Sequence, residues 1–168
     1  MSLSMYQATV PMFVRSLQNL RHVLEKGEAH ARDQGFAAET LLESRLIGDM
    51  LPLVRNVQIA TDMAKNGVAR LAGVDPLKFE DAETTFAQLY ARIERASDYI
   101  NTFAPALIDG CEERTIRVPS GGQELQFQGR DYLTGFLLPN FFFHCTTSYA
   151  ILRKEGVALG KKDYLGLA

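Results

Sequence analysis

A single imidazole interrupts a long apolar run. The segment FFFHCTTSYA, residues 141–150, carries His144, and no Asp, Glu, Lys or Arg occurs between Leu133 and Leu152. An imidazole in that setting can ligate a metal through one ring nitrogen, take a proton as a general base, or satisfy both nitrogens by hydrogen bonds along a helical seam. The spacing Leu133, Leu137, Asn140, His144, Thr147, Ile151 follows three-four steps, with Ser148 one turn after His144. Polar groups thus stand in the middle of an otherwise apolar stripe. Asp49 is the same anomaly in an earlier segment, between Leu46 and Leu53. A carboxylate on the buried face of a helix costs roughly several kcal/mol unless it is paired. Asp49 is therefore expected to meet Asn140, His144 or Ser148 across a helix interface, and to share a hydrogen bond with His144. Asp49, Asn140, His144 and Ser148 form a candidate ligand pocket. Within it, His144 and Asp49 are the candidate catalytic residues, base and orienting carboxylate, and the candidate metal ligands. A conventional metal centre takes three or four side-chain donors. The other two histidines, His22 and His30, fall off the apolar stripe of their own segment and are expected in solvent.

The elements that must position these residues are helical. Phe13, Leu17, Leu20 and Leu24 share one face of a first helix, which Gly35 ends. A second, longer helix is read through Leu42, Leu46, Asp49, Leu53, Val57, Ala60, Ala64 and Leu71, with Gly73 as terminator. A third carries Phe86, Leu89, Ile93, Ala96, Ile100 and Phe103 and stops before Pro105. Between Thr115 and Gln128 the period changes to two. Ile116 and Val118, the turn PSGG, and then Leu125 and Phe127 predict a short hairpin that must lean on helices. A fourth helix follows, with Asp131 as its N-cap, and runs to Gly156. The expected fold is all-α: a four-helix bundle with a short β-hairpin before the last helix, in one domain spanning residues 1–168. Gly48-x-x-x-Pro52 and Gly135-x-x-x-Pro139 place a proline four residues after a glycine in the second and fourth helices. Each proline lacks the N–H that would bond the glycine carbonyl. Two kinks and two freed carbonyls are expected near the polar residues.

Composition narrows the function classes. Eighteen Lys and Arg against twenty Asp and Glu leave a formal charge of −2 without blocks of like charge, so nothing marks a nucleic-acid partner. Pro139, Asn140, His144, Thr146, Thr147 and Ser148 argue against reading the uncharged stretch as membrane-spanning. Cys111 and Cys145 lie far apart with no CxxC, which fits a reducing cytoplasm. GVALGKKD, residues 156–163, is not a phosphate loop: its glycines are one residue too close, Lys162 stands where Ser or Thr belongs, and a helix precedes it. Cys145 and His144 are neighbours in a helix and do not face each other, so they form no Cys-His dyad.

The pieces SMYQATVPMF, RLIGDMLPLVRNVQIATDMAKNGVARLAG and FFFHCTTSYAILRKEGVALGKKDYLG resemble a bacterial domain-of-unknown-function branch of the DinB/YfiT-like superfamily, over essentially the whole chain. That resemblance implies an up-down-down-up four-helix bundle, commonly a homodimer. It also implies a divalent metal, zinc or nickel, held by one histidine of the second helix and an HxxxH pair of the fourth, in thiol-dependent transferases or hydrolases. Here the pair reads His144 and Ser148, and the second helix has no histidine; Asp49, or else Gln58, stands for it. The resemblance therefore leads to a degenerate site that takes a small molecule or a weakly held metal, with a transferase or hydrolase using His144 and Asp49, or a non-catalytic homodimeric module, as the alternatives.

Overall fold

The computed structural model describes residues 3–167. Its elements, in chain order, are α1 (Val10–Gln34), α2 (Glu39–Leu42), α3 (Leu53–Ala72), α4 (Phe86–Asn101), α5 (Pro105–Ile108), β1 (Thr115–Ser120), β2 (Gln123–Gln128), α6 (Gly129–Asp131), a π-helical segment (Tyr132–Leu137), α7 (Leu138–Lys154) and α8 (Lys161–Leu165). The fold is mostly helical, and the one sheet among the described residues is the antiparallel β1–β2 pair, with Ile116 opposite Phe127 and Val118 opposite Leu125. No helix among the described residues is long and apolar enough to cross a membrane.

The apolar stripes read from the sequence make the core. Phe13, Leu17 and Leu24 of α1, Val57, Ala60 and Ala64 of α3, Leu89, Ala96 and Ile100 of α4, and Phe141 and Ile151 of α7 are all but inaccessible. Phe13 meets Phe141 edge to face, 4.7 Å between centroids. α3 packs most extensively on α7 and α4, while α1 packs on α4, α7 and α8. Helix ends follow local chemistry. Gly35 and Gly73 adopt φ of 75° and 76°, a left-handed conformation that costs glycine little, and their N–H groups close the last turns of α1 and α3. At α4, Thr85 and Gln88 form a capping box, each side chain bonding the other's backbone N–H.

Three sequence-based expectations change. The long second helix is not continuous: α2 ends at Leu42, and α3 begins only at Leu53, with Pro52 as its N-cap. A proline ring clashes with the preceding turn inside a helix but costs nothing at a helix start, where its missing N–H would have no partner anyway. Residues 43–52 form a connecting segment instead. Secondly, Asp131 lies inside α6 and is not a cap. β2 reaches Gln128 in extended geometry (φ −77°, ψ 150°) and turns helical at Gly129, which sits so close to the Cys111 carbonyl that a side chain there would collide with it. Thirdly, Pro139 neither breaks nor simply kinks its helix. The preceding turn widens into the π-helical segment, one way for a helix to accommodate a disrupted hydrogen-bond ladder.

Candidate functional site

His144 lies on the buried side of α7 facing α3, with 9% of its surface accessible. Its Nδ1 is 2.9 Å from Oδ1 of Asn56. Asn56, 1% exposed, directs its Nδ2 to two backbone carbonyls, Leu51 (3.0 Å) and Pro52 (2.9 Å). The break at Pro52 explains this arrangement. The Leu51 carbonyl precedes the helix and lacks a helical donor, and the first turn of α3 brings the Asn56 amide beneath it. Only the nitrogen of an amide can donate to two carbonyls, so its oxygen must face His144, and Nδ1 must carry the proton that Oδ1 accepts. A neutral imidazole with Nδ1–H leaves Nε2 as an acceptor lone pair, and among the described residues Nε2 has no hydrogen-bond partner. Burial pushes the His144 pKa below its ordinary 6.5, which keeps the ring neutral at pH 7. The Phe143 ring stands edge to face on the imidazole at 5.2 Å. The chemical capacity of the site is one positioned, neutral nitrogen base.

The other expected members of the pocket do not converge on it. Ser148 is fully buried but donates its hydroxyl to the His144 carbonyl (2.8 Å), and Asn140 donates its amide to the Phe136 carbonyl (2.7 Å). Both satisfy their own helix. Asp49 sits in the exposed turn before α3 and makes no side-chain hydrogen bond or ion pair among the described residues. The expectation of a buried carboxylate bonded to His144 is therefore corrected: with the helix broken at Pro52, Asp49 never enters the interface, and Asn56 takes the place assigned to it. His22 is exposed, as expected, and its Nε2 is 3.1 Å from the Asp163 carboxylate.

A larger polar cluster was not anticipated. Arg92 of α4, 3% exposed, donates from Nε to Thr61 (2.8 Å), from Nη1 to Glu83 (3.1 Å) and the Glu80 carbonyl (2.9 Å), and from Nη2 to Asp62 (2.9 Å), with Asp81 at 3.0 Å. Gln58 joins this network, accepting from Arg55 and donating to Glu83. It is not a partner of His144. Lys65, 2% exposed, donates to Asn66 and to the Leu77 carbonyl and lies 3.3 Å from Asp62. Burial works against the charge of Asp81, yet Arg55 and Arg92 together hold its carboxyl below the usual range. Every donor of Arg92 is spoken for, so the cluster fastens the segment between α3 and α4 to the helices. Asn56 and Arg92 were both findable. Asn56 stands three residues after Leu53 and four before Ala60, and Arg92 three after Leu89 and four before Ala96, the same spacing that singled out Asn140 and His144.

The divalent metal implied by the superfamily fits these residues poorly. No group of three or more His, Cys, Asp or Glu side chains among the described residues could hold an ion. Around His144 the donors are one imidazole nitrogen, an amide oxygen already accepting a hydrogen bond, and a serine hydroxyl turned to its own helix.

Comparison with known proteins bears on the same question. Residues 5–165 match the model of a family described as Domain of unknown function (DUF1993). A solved structure of a DinB family member protein from Shewanella denitrificans is 41% identical, over 96% of this chain and 91% of that one, with a TM-score of 0.86. No curated protein matches the chain. The helices, the hairpin and a match across nearly the whole length agree, and the chain belongs to the DUF1993 family of DinB-like proteins.

Proposed function

We propose that this chain is a single-domain, up-down-down-up four-helix bundle of the cytoplasm whose degenerate superfamily site binds a small molecule through Nε2 of His144. The observation that carries the reading is the Asn56–His144 hydrogen bond, anchored by two backbone carbonyls, which fixes the tautomer and leaves one lone pair uncommitted. The bundle reading is supported by α1, α3, α4 and α7, which pack against one another pairwise, and by the DinB-like relative. The cytoplasmic reading is supported by two free, buried cysteines. The ligand class is a neutral molecule offering an N–H or O–H donor. Zinc or nickel would have His144 as its single strong protein ligand and would bind weakly. Catalysis by His144 as general base is the alternative, with Asn56 and not Asp49 as the orienting group.

Zinc and nickel serve as probes of the free nitrogen. Calorimetric titration should show weak, saturable binding that His144→Ala abolishes and that does not survive dialysis against a chelator. Equal heats for wild type and variant would remove His144 from the site.

A homodimer is the second reading, and a specific surface favours it. Leu46, Ile47 and Leu51 of the 43–52 segment and Phe143 of α7 are 40%, 63%, 43% and 55% exposed. Leu46 and Phe143 share an apolar trough with Phe142 and Ala150. Light scattering should report a dimer that Phe143→Asp dissociates; a monomer at every concentration would refute it.

A further inference from the structure

On the opposite side of α7 from Asn56, a small cavity opens between α1, α7 and α8. Cys145 forms part of its wall with Leu20, Val23 and Phe142, while Arg15 and Ser16 line it from the exposed side of α1. Its outer wall is α8, through Tyr164 and Leu165. α8 is fastened there by polar contacts: Asn19 donates to the Tyr164 carbonyl (3.2 Å), and Asp163 accepts from Lys26 (2.7 Å), His22 (3.1 Å) and the Gly160 N–H (2.7 Å). The Lys26 hydrogen bond, with that of Gly160, holds the Asp163 carboxyl well below the usual range, so the latch stays charged at neutral pH.

Arg15 stands apart from the other arginines. Each of them, among the described residues, meets a carboxylate, a carbonyl, a hydroxyl or an aromatic face: for example Arg21 with Glu25, Arg70 with the Tyr132 hydroxyl, Arg95 over Phe79 and Arg153 with the Val157 carbonyl. Arg15 has no such partner, and the Ser16 hydroxyl beside it has no hydrogen bond. A guanidinium presents a planar fork of donors that matches a carboxylate. Behind it the walls are apolar, and burial pushes the Cys145 thiol up so far that the sulfur is a neutral, weakly polar surface and not a nucleophile. The volume is 70 Å³. A cavity of about 150 Å³ takes benzene, so this one accommodates an alkyl tail of roughly three or four carbons.

We propose that this cavity binds a short-chain carboxylic acid, its alkyl end against Leu20, Val23, Phe142 and Cys145 and its carboxylate on Arg15 and Ser16. The site is separate from His144, which faces α3.

Methyl-labelled protein titrated with pentanoate and observed by NMR tests this. The expected result is saturable shifts at the methyls of Leu20, Val23 and Leu165. Arg15→Gln, a change at an exposed position that leaves the core intact, should weaken binding about 2- to 5-fold, the scale of a lost exposed charge pair. Pentanol should bind more weakly by a similar factor, and His144→Ala should leave the titration unchanged. Absence of saturable shifts at these methyls, equal affinity for pentanol, or an unchanged titration in Arg15→Gln would each overturn the assignment.

Discussion

Two buried polar clusters flank α3, and they differ in what they leave unused. Around Arg92 every donor has an acceptor, drawn from Thr61, Asp62, Asp81, Glu83 and a backbone carbonyl, so the donor capacity of the guanidinium is exhausted by the fold. Around His144 the fold uses one ring nitrogen and leaves the other. Buried charge is conspicuous in the first cluster and absent from the second, yet in the second a ring nitrogen is left without a protein partner among the described residues. Residual hydrogen-bonding capacity, more than buried polarity, separates a candidate site from a structural clamp.

The comparison can be broken at either end. Arg92→Met removes the shared cation from Asp62, Asp81 and Glu83, which are 28%, 36% and 14% exposed and keep Lys65, Arg55 and Gln58 as partners, and should cost about 2–3 kcal/mol in urea unfolding, the scale of hydrogen bonds to a charged group. A near-neutral result would mean that these carboxylates reach water. Asn56→Leu leaves the Leu51 carbonyl and the Nδ1–H of His144 without partners, while the Pro52 carbonyl keeps the backbone N–H of residue 56, and a loss of about 1–3 kcal/mol is expected by the same assay. Because the folded-state pKa of His144 is depressed, the unfolded chain binds its proton first, and stability falls as pH drops below 6.5 toward the folded value. His144→Gln should flatten the part of the profile below pH 6.5. Asp49→Ala should have the smallest effect, leaving the unfolding midpoint unchanged. In combination with His144→Ala it should add without coupling, because the two side chains do not bond.

Much of the fold could be read from periodicity, because the apolar positions of α1, α4 and the second half of α3 keep a three-four spacing that only one helical face satisfies. The hairpin was equally visible in its change of period. The reading failed where one residue decided between two continuations. Pro52 could kink a helix or start one, and the apolar residues on both sides of it, Leu46 and Leu53, fit either. Starting a helix put Leu46 and Asp49 in solvent-exposed positions and moved the partner of His144 to Asn56. His144 itself was legible as a buried polar residue on an apolar seam. Its pairing with Asn56 was not, because hydrogen bonding across two helices depends on their relative register, which no single-helix pattern contains. The partners of Arg92 and Lys65 were hidden for another reason: the two long side chains reach into the 74–85 segment, Arg92 to the Glu83 carboxylate and Lys65 to the Leu77 carbonyl, and the sequence does not define the path of that segment.

The central claim is the tautomer. Nitrogen NMR of the His144 ring at neutral pH separates a protonated Nδ1 with a bare Nε2 from the reverse. The account predicts protonated Nδ1, unprotonated Nε2, and a coupling or exchange-protected proton on Nδ1 that is lost in Asn56→Leu. A proton on Nε2, or a ring that titrates at or above its ordinary 6.5, would contradict it.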